Sequence, residues 1–327
     1  MVNQVPLPTP AVAKRTLFLC TSVYGFSYIC QKWLQKFIQP ELSLIFRFSL
    51  GSALFLPKLL RFRGDFAVIL AGLEMGFWCA TGFAVQATGL KYTSASKAAL
   101  LSSLGVILPP IFTSIEHAVS NRSAKKDNKV DFVNKQASLS SMTTLWRHMM
   151  RSGIVPALSA MTGAAVLEWG GIDAPSWIDL VLLLTPFSFA MCLHRSEKFA
   201  AMYPQHTTTL TGTMLASVTF YALLWTFFQG NLPITIKAWQ AIASILNEKR
   251  WLLLLIAYQG ILATGWTAIS EQQALKVLSA SDMFLIYALE PIFATLFAYL
   301  FLHEQVSWST LLGAVLIVSA CILGGKY

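Results

Sequence analysis

The sequence predicts an all-α polytopic membrane protein with about ten transmembrane helices, arranged as two inverted five-helix repeats. Composition is the first observation behind this: the 327-residue chain is 55% hydrophobic and 12% charged, against about 25% charged in soluble domains. The second is that apolar runs recur along the whole length, each long enough to cross roughly 30 Å of hydrocarbon as a helix. They are continuously apolar and lack the alternation of a barrel strand, so helices are expected to satisfy the backbone in lipid. The third is an internal repeat. GLKYTSAS at 89–96 recurs as ALKVLSAS at 274–281, Phe26-Ser27-Tyr28 corresponds to Phe187-Ser188-Phe189, and TGAAVL at 162–167 corresponds to LGAVLI at 312–317. Each half holds about five runs, an odd number, so the second half must enter the membrane in the opposite orientation.

The ten spans are expected near residues 14–36, 41–60, 66–89, 94–119, 152–171, 176–202, 206–229, 250–274, 280–302 and 306–325. An N-terminal tail, 1–13, leads directly into the first span without a short apolar core or small-residue cleavage site, so this helix is expected to act as its own insertion signal. The first repeat covers 14–171 and carries a polar insertion at 120–151; the second covers 176–325. The insertion, NRSAKKDNKVDFVNKQASLSSMTTLWRHM from Asn121 to Met149, is too polar to bury a core and reads as a solvated linker, with a headgroup-binding or regulatory role as the alternative. The 24 Lys+Arg against 15 Asp+Glu read as an orientation signal, not as a nucleic-acid footprint, in so apolar a chain. Most of the asymmetry comes from this basic loop, and the positive-inside bias then puts both termini in the cytoplasm. The five cysteines, Cys20, Cys30, Cys79, Cys192 and Cys321, fall inside spans without metal-ligand spacing and read as packing residues. No metal or other cofactor is expected.

Polar stripes run along several spans. In the first, Cys20, Tyr24, Ser27 and Gln31 share one face at helical spacing, and Thr185, Ser188 and Cys192 make the corresponding stripe in the sixth. Gly260, Thr264, Thr267 and Glu271 repeat it in the eighth. Any one stripe could be interhelical packing. Three at related positions of the two halves favour a shared polar pocket. Gln86 and Glu271 occupy equivalent positions near the ends of the third and eighth spans, where a gate or substrate contact is conceivable.

The third span has two faces. Gly72 and Gly76 form a GxxxG packing pair, while Glu74 and Trp78 project roughly opposite. A carboxylate is costly in lipid, so Glu74 and Trp78 are expected either to face a cavity or to leave Glu74 in a structural ion pair with Arg47. Asp282 at the start of the ninth span reads as a helix cap, and His303 and Glu304 as solvated groups at the membrane edge. Within the ninth span, LIYALEPIFATLFAYLF places Glu290 beside Pro291. Proline removes a backbone donor and should kink the helix there. Tyr287 lies one turn before Glu290, giving a cavity an aromatic wall beside an ionisable group. A carboxyl held out of water offers a cation site or a proton-coupling site; the bland reading is a hydrogen bond to a carbonyl freed by the proline.

YGFSYICQKWL in the first span, LKYTSASKAALL across the third and fourth, and ALEPIFATLFAYLFLHEQVSWSTLLGAVLIVSACIL at the end resemble EamA-type members of the drug/metabolite transporter superfamily over nearly the whole chain. Tyr24 departs from the commoner tryptophan, and the 120–151 insertion is absent from compact members. The resemblance implies two EamA repeats forming a ten-helix carrier of small organic solutes, with a central cavity between the halves. The residues themselves argue against an enzyme: no nucleophile with a base, paired aspartates or H-E-x-x-H motif lies in the spans. A receptor or structural membrane protein would not need a duplicated inverted core. A phosphorylated-metabolite or nucleotide-sugar carrier should offer several buried cations, whereas only Arg47 is deeply placed, against Glu74, Glu271 and Glu290. The expected function is therefore secondary transport, by alternating access, of amino acids, amines or related solutes. Its partners are the lipid bilayer, a small-molecule substrate and, as a candidate coupling ion, the proton; no nucleic acid is expected. Oligomeric state and the particular membrane are left open.

Overall fold

The computed structural model describes residues 8–93, 95–109, 111–112, 158–159, 161–163, 166, 177–229, 236–303 and 308–324. The 120–151 insertion, most of the fifth span and Glu304 lie outside the described residues. Every regular element among them is helical. The chain opens with α1 (Pro10–Leu34), α2 (Pro40–Ala53), α3 (Leu56–Arg61), α4 (Phe66–Gly89) and α5 (Ala95–Ser103), the last running into a 3₁₀ turn at Leu104–Ile107. After the fifth span come α6 (Trp177–Leu182), α7 (Leu184–Met202), α8 (Thr207–Phe228), α9 (Ile236–Glu248) and α10 (Trp251–Ala257). A π-helical segment, Tyr258–Trp266, joins α10 to α11 (Thr267–Ala274), and α12 (Ala280–Tyr287), α13 (Glu290–Leu302) and α14 (Trp308–Gly324) complete the chain.

Among the described residues, four helical stretches are long and apolar enough to cross a bilayer: Phe66–Gly89, Thr207–Phe228, Trp251–Ala274 and Ala280–Leu302. Their outer faces carry what lipid requires. Phe66, Leu70, Phe228 and Leu254 are largely exposed while Thr211, Thr226, Gln259 and Thr267 are buried, the reverse of a water-soluble protein. The chain is an integral membrane protein.

Proline decides where several spans break. A proline cannot donate to the carbonyl four residues earlier and crowds it. The second span ends its first helix at Ala53, four residues before Pro57; the sixth ends α6 at Leu182, four before Pro186; the ninth ends α12 at Tyr287, four before Pro291. Each then restarts with the proline in its first turn, where a missing N–H costs least. The ninth span is thus interrupted at Ala288–Leu289, sharper than the expected kink. Side-chain caps fix the starts of α4 and α12. Asp65 accepts from the Ala67 N–H at 2.9 Å ahead of α4. Ser279 and Asp282 form a reciprocal capping box at the start of α12, which accounts for that carboxylate.

Packing pairs the halves. The third span, α4, lies against α7 and α8, while the eighth, α10 through α11, lies against α1 and α2. Close approach depends on missing side chains. A methyl group on Gly72 would sit 2.5 Å from Thr213 Cβ, and one on Gly76 would collide with Ser217, so the GxxxG face docks on α8. Gly25 of α1 meets Phe293 of α13 in the same way, at 2.5 Å. α4 runs antiparallel to α7 and α6: Met75 meets Ser196 and Gly82 meets Phe189 of α7, and Gly89 meets Leu182 of α6. One element falls where the sequence suggested only a connection. α9 is an amphipathic helix, and Ile242, Ile245 and Leu246 seat it against Cys30, Leu34, Leu252 and Leu255. Thirteen residues with three apolar anchors are too few and too polar for a hydropathy criterion.

Candidate functional site

The two halves enclose a cavity of about 150 Å³ lined from the first, second, third, fourth, sixth, seventh, eighth and ninth spans. Tyr24, Ser27, Gln31, Arg47, Thr264, Thr267, Glu271, Tyr287 and Glu290 all line it. The sequence-based candidates Glu74, Trp78 and Ser188 do not.

Glu271 stands at the centre of the anionic wall. Tyr24 Oη from α1 and Tyr287 Oη from α12 each donate to its Oε1 at 2.7 Å. The two rings meet edge to face with centroids 5.8 Å apart. Two donors from different helices converge on one oxygen, so this pair holds the carboxyl of α11 in one place. Glu290 lies in the first turn of α13 and interacts with the Tyr28 hydroxyl. That hydroxyl also accepts from Gln86 Nε2 at 2.7 Å, and Gln86 reaches Ser102 Oγ at 3.4 Å. A tyrosine therefore takes the place of the freed backbone carbonyl considered from the sequence.

Arg47 supplies the opposite sign. Its Nε donates to Thr264 Oγ1 at 2.8 Å, Nη2 to the Ala263 carbonyl at 2.9 Å and Nη1 to Ser27 Oγ at 3.3 Å. The guanidinium lies over the Phe83 ring, 4.5 Å from its centroid, a favourable cation–π placement. Glu74 is not its partner. The carboxylate pairs with Arg195 of α7 instead, through Arg195 Nη2 at 3.0 Å and Nε at 2.5 Å. The expected Arg47–Glu74 pair fails because the glycine face of α4 docks on α8 and turns Glu74 toward α7. Trp78 goes the same way, with Phe187 of α7 at 5.9 Å between ring centroids. Ser188 is fully buried and its hydroxyl has no hydrogen-bond partner, so it belongs to the interior of the helix packing and not to the cavity.

The π segment repositions the eighth span. Thr264 Oγ1 donates to the Gln259 carbonyl at 2.8 Å, five residues back. Ser27 Oγ donates to Gln259 Oε1 at 2.7 Å, and Gln259 Nε2 donates to the Ser27 carbonyl at 2.8 Å. Gln259 escaped a stripe drawn at 3.6 residues per turn. Gly260, which that stripe included, packs instead on Leu50. π turns recur at functional sites, but no sequence signal marked this one. Gln31 and Gln272 were unequally legible. Gln31 sits on the first-span stripe and donates to Ser43 Oγ at 2.6 Å; Gln272, next to Glu271, was passed over. Both line the cavity, and Oε1 of each is buried without a hydrogen-bond partner. Such acceptors are costly when left unmet.

The family model described as the EamA-like transporter family matches the chain twice, at 16–116 and 176–324. The chain belongs to the EamA-like transporter family. As an EamA-like protein it is a membrane transporter of the drug/metabolite superfamily, and the two matched regions are its two repeats. A solved structure titled "Crystal structure of protein" is similar in fold, with a TM-score of 0.63 at 14% identity over 98% of this chain and 99% of that one. A comparison with curated proteins gives no match.

Proposed function

We propose that this EamA-like protein is a ten-helix secondary carrier, built of two inverted five-helix repeats, that moves small amines, amino acids or related solutes by alternating access. The observation that carries the substrate class is the two-signed cavity: Arg47 on one side, Glu271 and Glu290 on the other, with Gln31 and Gln272 acceptors unmet. An ammonium group finds carboxyl oxygen and tyrosine faces; a carboxylate finds the guanidinium. Size supports the same class. A cavity of about 150 Å³ is smaller than the roughly 300–1,000 Å³ of pockets for drug-sized ligands, which favours a small solute over a nucleotide sugar. Arg47 already spends three donors on protein acceptors, which leaves little for a phosphate. The exchange of packing partners between the third and eighth spans is what a two-fold relation of inverted halves would produce. Glu290, the carboxyl next to the helix break, is the candidate site for proton coupling.

Uptake into proteoliposomes, screened against amines, amino acids, phosphorylated metabolites and nucleotide sugars, tests this reading. Saturable uptake of an amine or amino acid, reduced in Glu271→Gln, is expected. Uptake confined to the phosphorylated solutes would replace it with the other carrier class.

A further inference from the structure

Three sulfur atoms from three helices meet on one wall of the cavity. Cys79 of α4, Cys192 of α7 and Met214 of α8 all line it. Cys192 Sγ lies 3.9 Å from Met214 Sδ, and Cys79 stands opposite Cys192 in the antiparallel pairing of the third and sixth spans. Both cysteines are free. The antiparallel register of α4 and α7 enforces the meeting, because Cys79 and Cys192 fall between the Met75–Ser196 and Gly82–Phe189 contacts. Met75, a fourth sulfur nearby, is already engaged by the Ser196 hydroxyl at 3.2 Å.

We infer that Cys79, Cys192 and Met214 form a binding site for a soft monovalent metal ion, Cu(I) or Ag(I). Thiolate and thioether donors select such ions, whereas carboxylate and imidazole sets serve harder ones. Among the described residues no three His, Cys, Asp or Glu side chains gather into a metal-binding group, so the thioether is the donor that completes the set. Binding is balanced in charge and protons: one monovalent ion replaces two thiol protons, which leave for solvent, and the resulting dithiolate–thioether complex carries one negative charge. Of the ionisable groups that line the same cavity, Glu271 opposes this charge and Arg47 offsets it. The S–H···S contact of the metal-free protein is then replaced by metal–sulfur bonds with little movement of the helices. This site shares the cavity with the proposed solute but does not rest on transport.

The purified full-length protein, reduced and kept anaerobic in detergent, is titrated with Cu(I) against a chromogenic Cu(I) chelator. One equivalent should be withdrawn from the chelator with release of two protons, and X-ray absorption at the copper edge should report sulfur-only coordination. A variant with Cys20→Ser, Cys30→Ser and Cys321→Ser should retain this equivalent. Cys79→Ser and Cys192→Ser, each checked for monodisperse elution, should lose it. Met214→Leu, which removes no thiol, should weaken retention and lower the sulfur count from three to two. No withdrawal by the wild-type protein overturns the inference, as does retention unchanged in the Cys79→Ser/Cys192→Ser double variant or coordination dominated by nitrogen or oxygen.

Discussion

Glu271 receives two tyrosine hydroxyls on one oxygen, an arrangement that costs orientational freedom and is worth keeping only if the position of the carboxyl matters. Each such bond contributes about 0.5–1.5 kcal/mol. Tyr24→Phe and Tyr287→Phe should therefore each weaken apparent solute affinity by roughly two- to tenfold, with the double variant showing less than the sum because both bonds serve one group. Concentration dependence of uptake in proteoliposomes reads this out; unchanged affinity in both single variants would remove Glu271 from solute binding. Glu290 calls for a different measurement. Glu290→Gln keeps size and can still accept from Tyr28, so it should insert normally, while uptake driven by an imposed pH gradient loses its pH dependence. Wild-type pH dependence in that variant would assign Glu290 to the packing of α13. Of these residues the sequence marked Tyr24, Tyr287, Glu271 and Glu290 by type and spacing alone. Of the Tyr28–Gln86–Ser102 chain it marked Gln86 alone, through its equivalence to Glu271, because neutral hydroxyls and amides in apolar helices carry no distinctive pattern until their partners are known.

At the level of elements, the break at Pro291 was legible in the sequence while those at Pro57 and Pro186 were passed over, although all three prolines end a helix four residues earlier by the same backbone chemistry. The face of α4 was half legible. GxxxG marked the docking side, but the opposite side met α7 in place of the cavity, so Glu74 found Arg195 and Trp78 found Phe187. The resulting expectation is specific: Gly76→Leu should sharply lower folded yield by colliding with Ser217 and Met214, whereas Trp78→Ala should lower it modestly and leave solute preference unchanged. Yield by fluorescence-detected gel filtration and a competition profile in proteoliposomes separate the two. A changed profile in Trp78→Ala would return that residue to the solute pathway. The π segment of the eighth span was beyond reach from sequence, since Tyr258–Trp266 contains no proline and its extra residue per turn shows in backbone bonds such as that from the Thr267 N–H to the Leu262 carbonyl, five residues back.

For the whole molecule, the repeat and the membrane location were written in composition and in the paired motifs, while orientation rests on charge. The basic segment between the fourth and fifth spans should lie in the cytoplasm together with both termini. Ser138→Cys in a background without other cysteines should label only from the cytoplasmic side of vesicles of known sidedness; labelling from the opposite face would invert the whole assignment. The halves also differ in one chemical respect. Glu271 corresponds to Gln86, and LEPIF at 289–293 matches LPPIF at 108–112, which sets Pro109 where Glu290 stands. Neither ionisable position is duplicated. On the proposed inverted arrangement the carrier is therefore a lopsided turnstile: a solute arriving from one side meets the carboxyl-bearing half as its floor, and from the other as its ceiling. Half-saturation concentrations should then differ between the two faces. The ratio of maximal rate to half-saturation must nevertheless be equal in both directions for any solute moved without a coupled ion, because a passive carrier cannot displace the equilibrium between the compartments it joins.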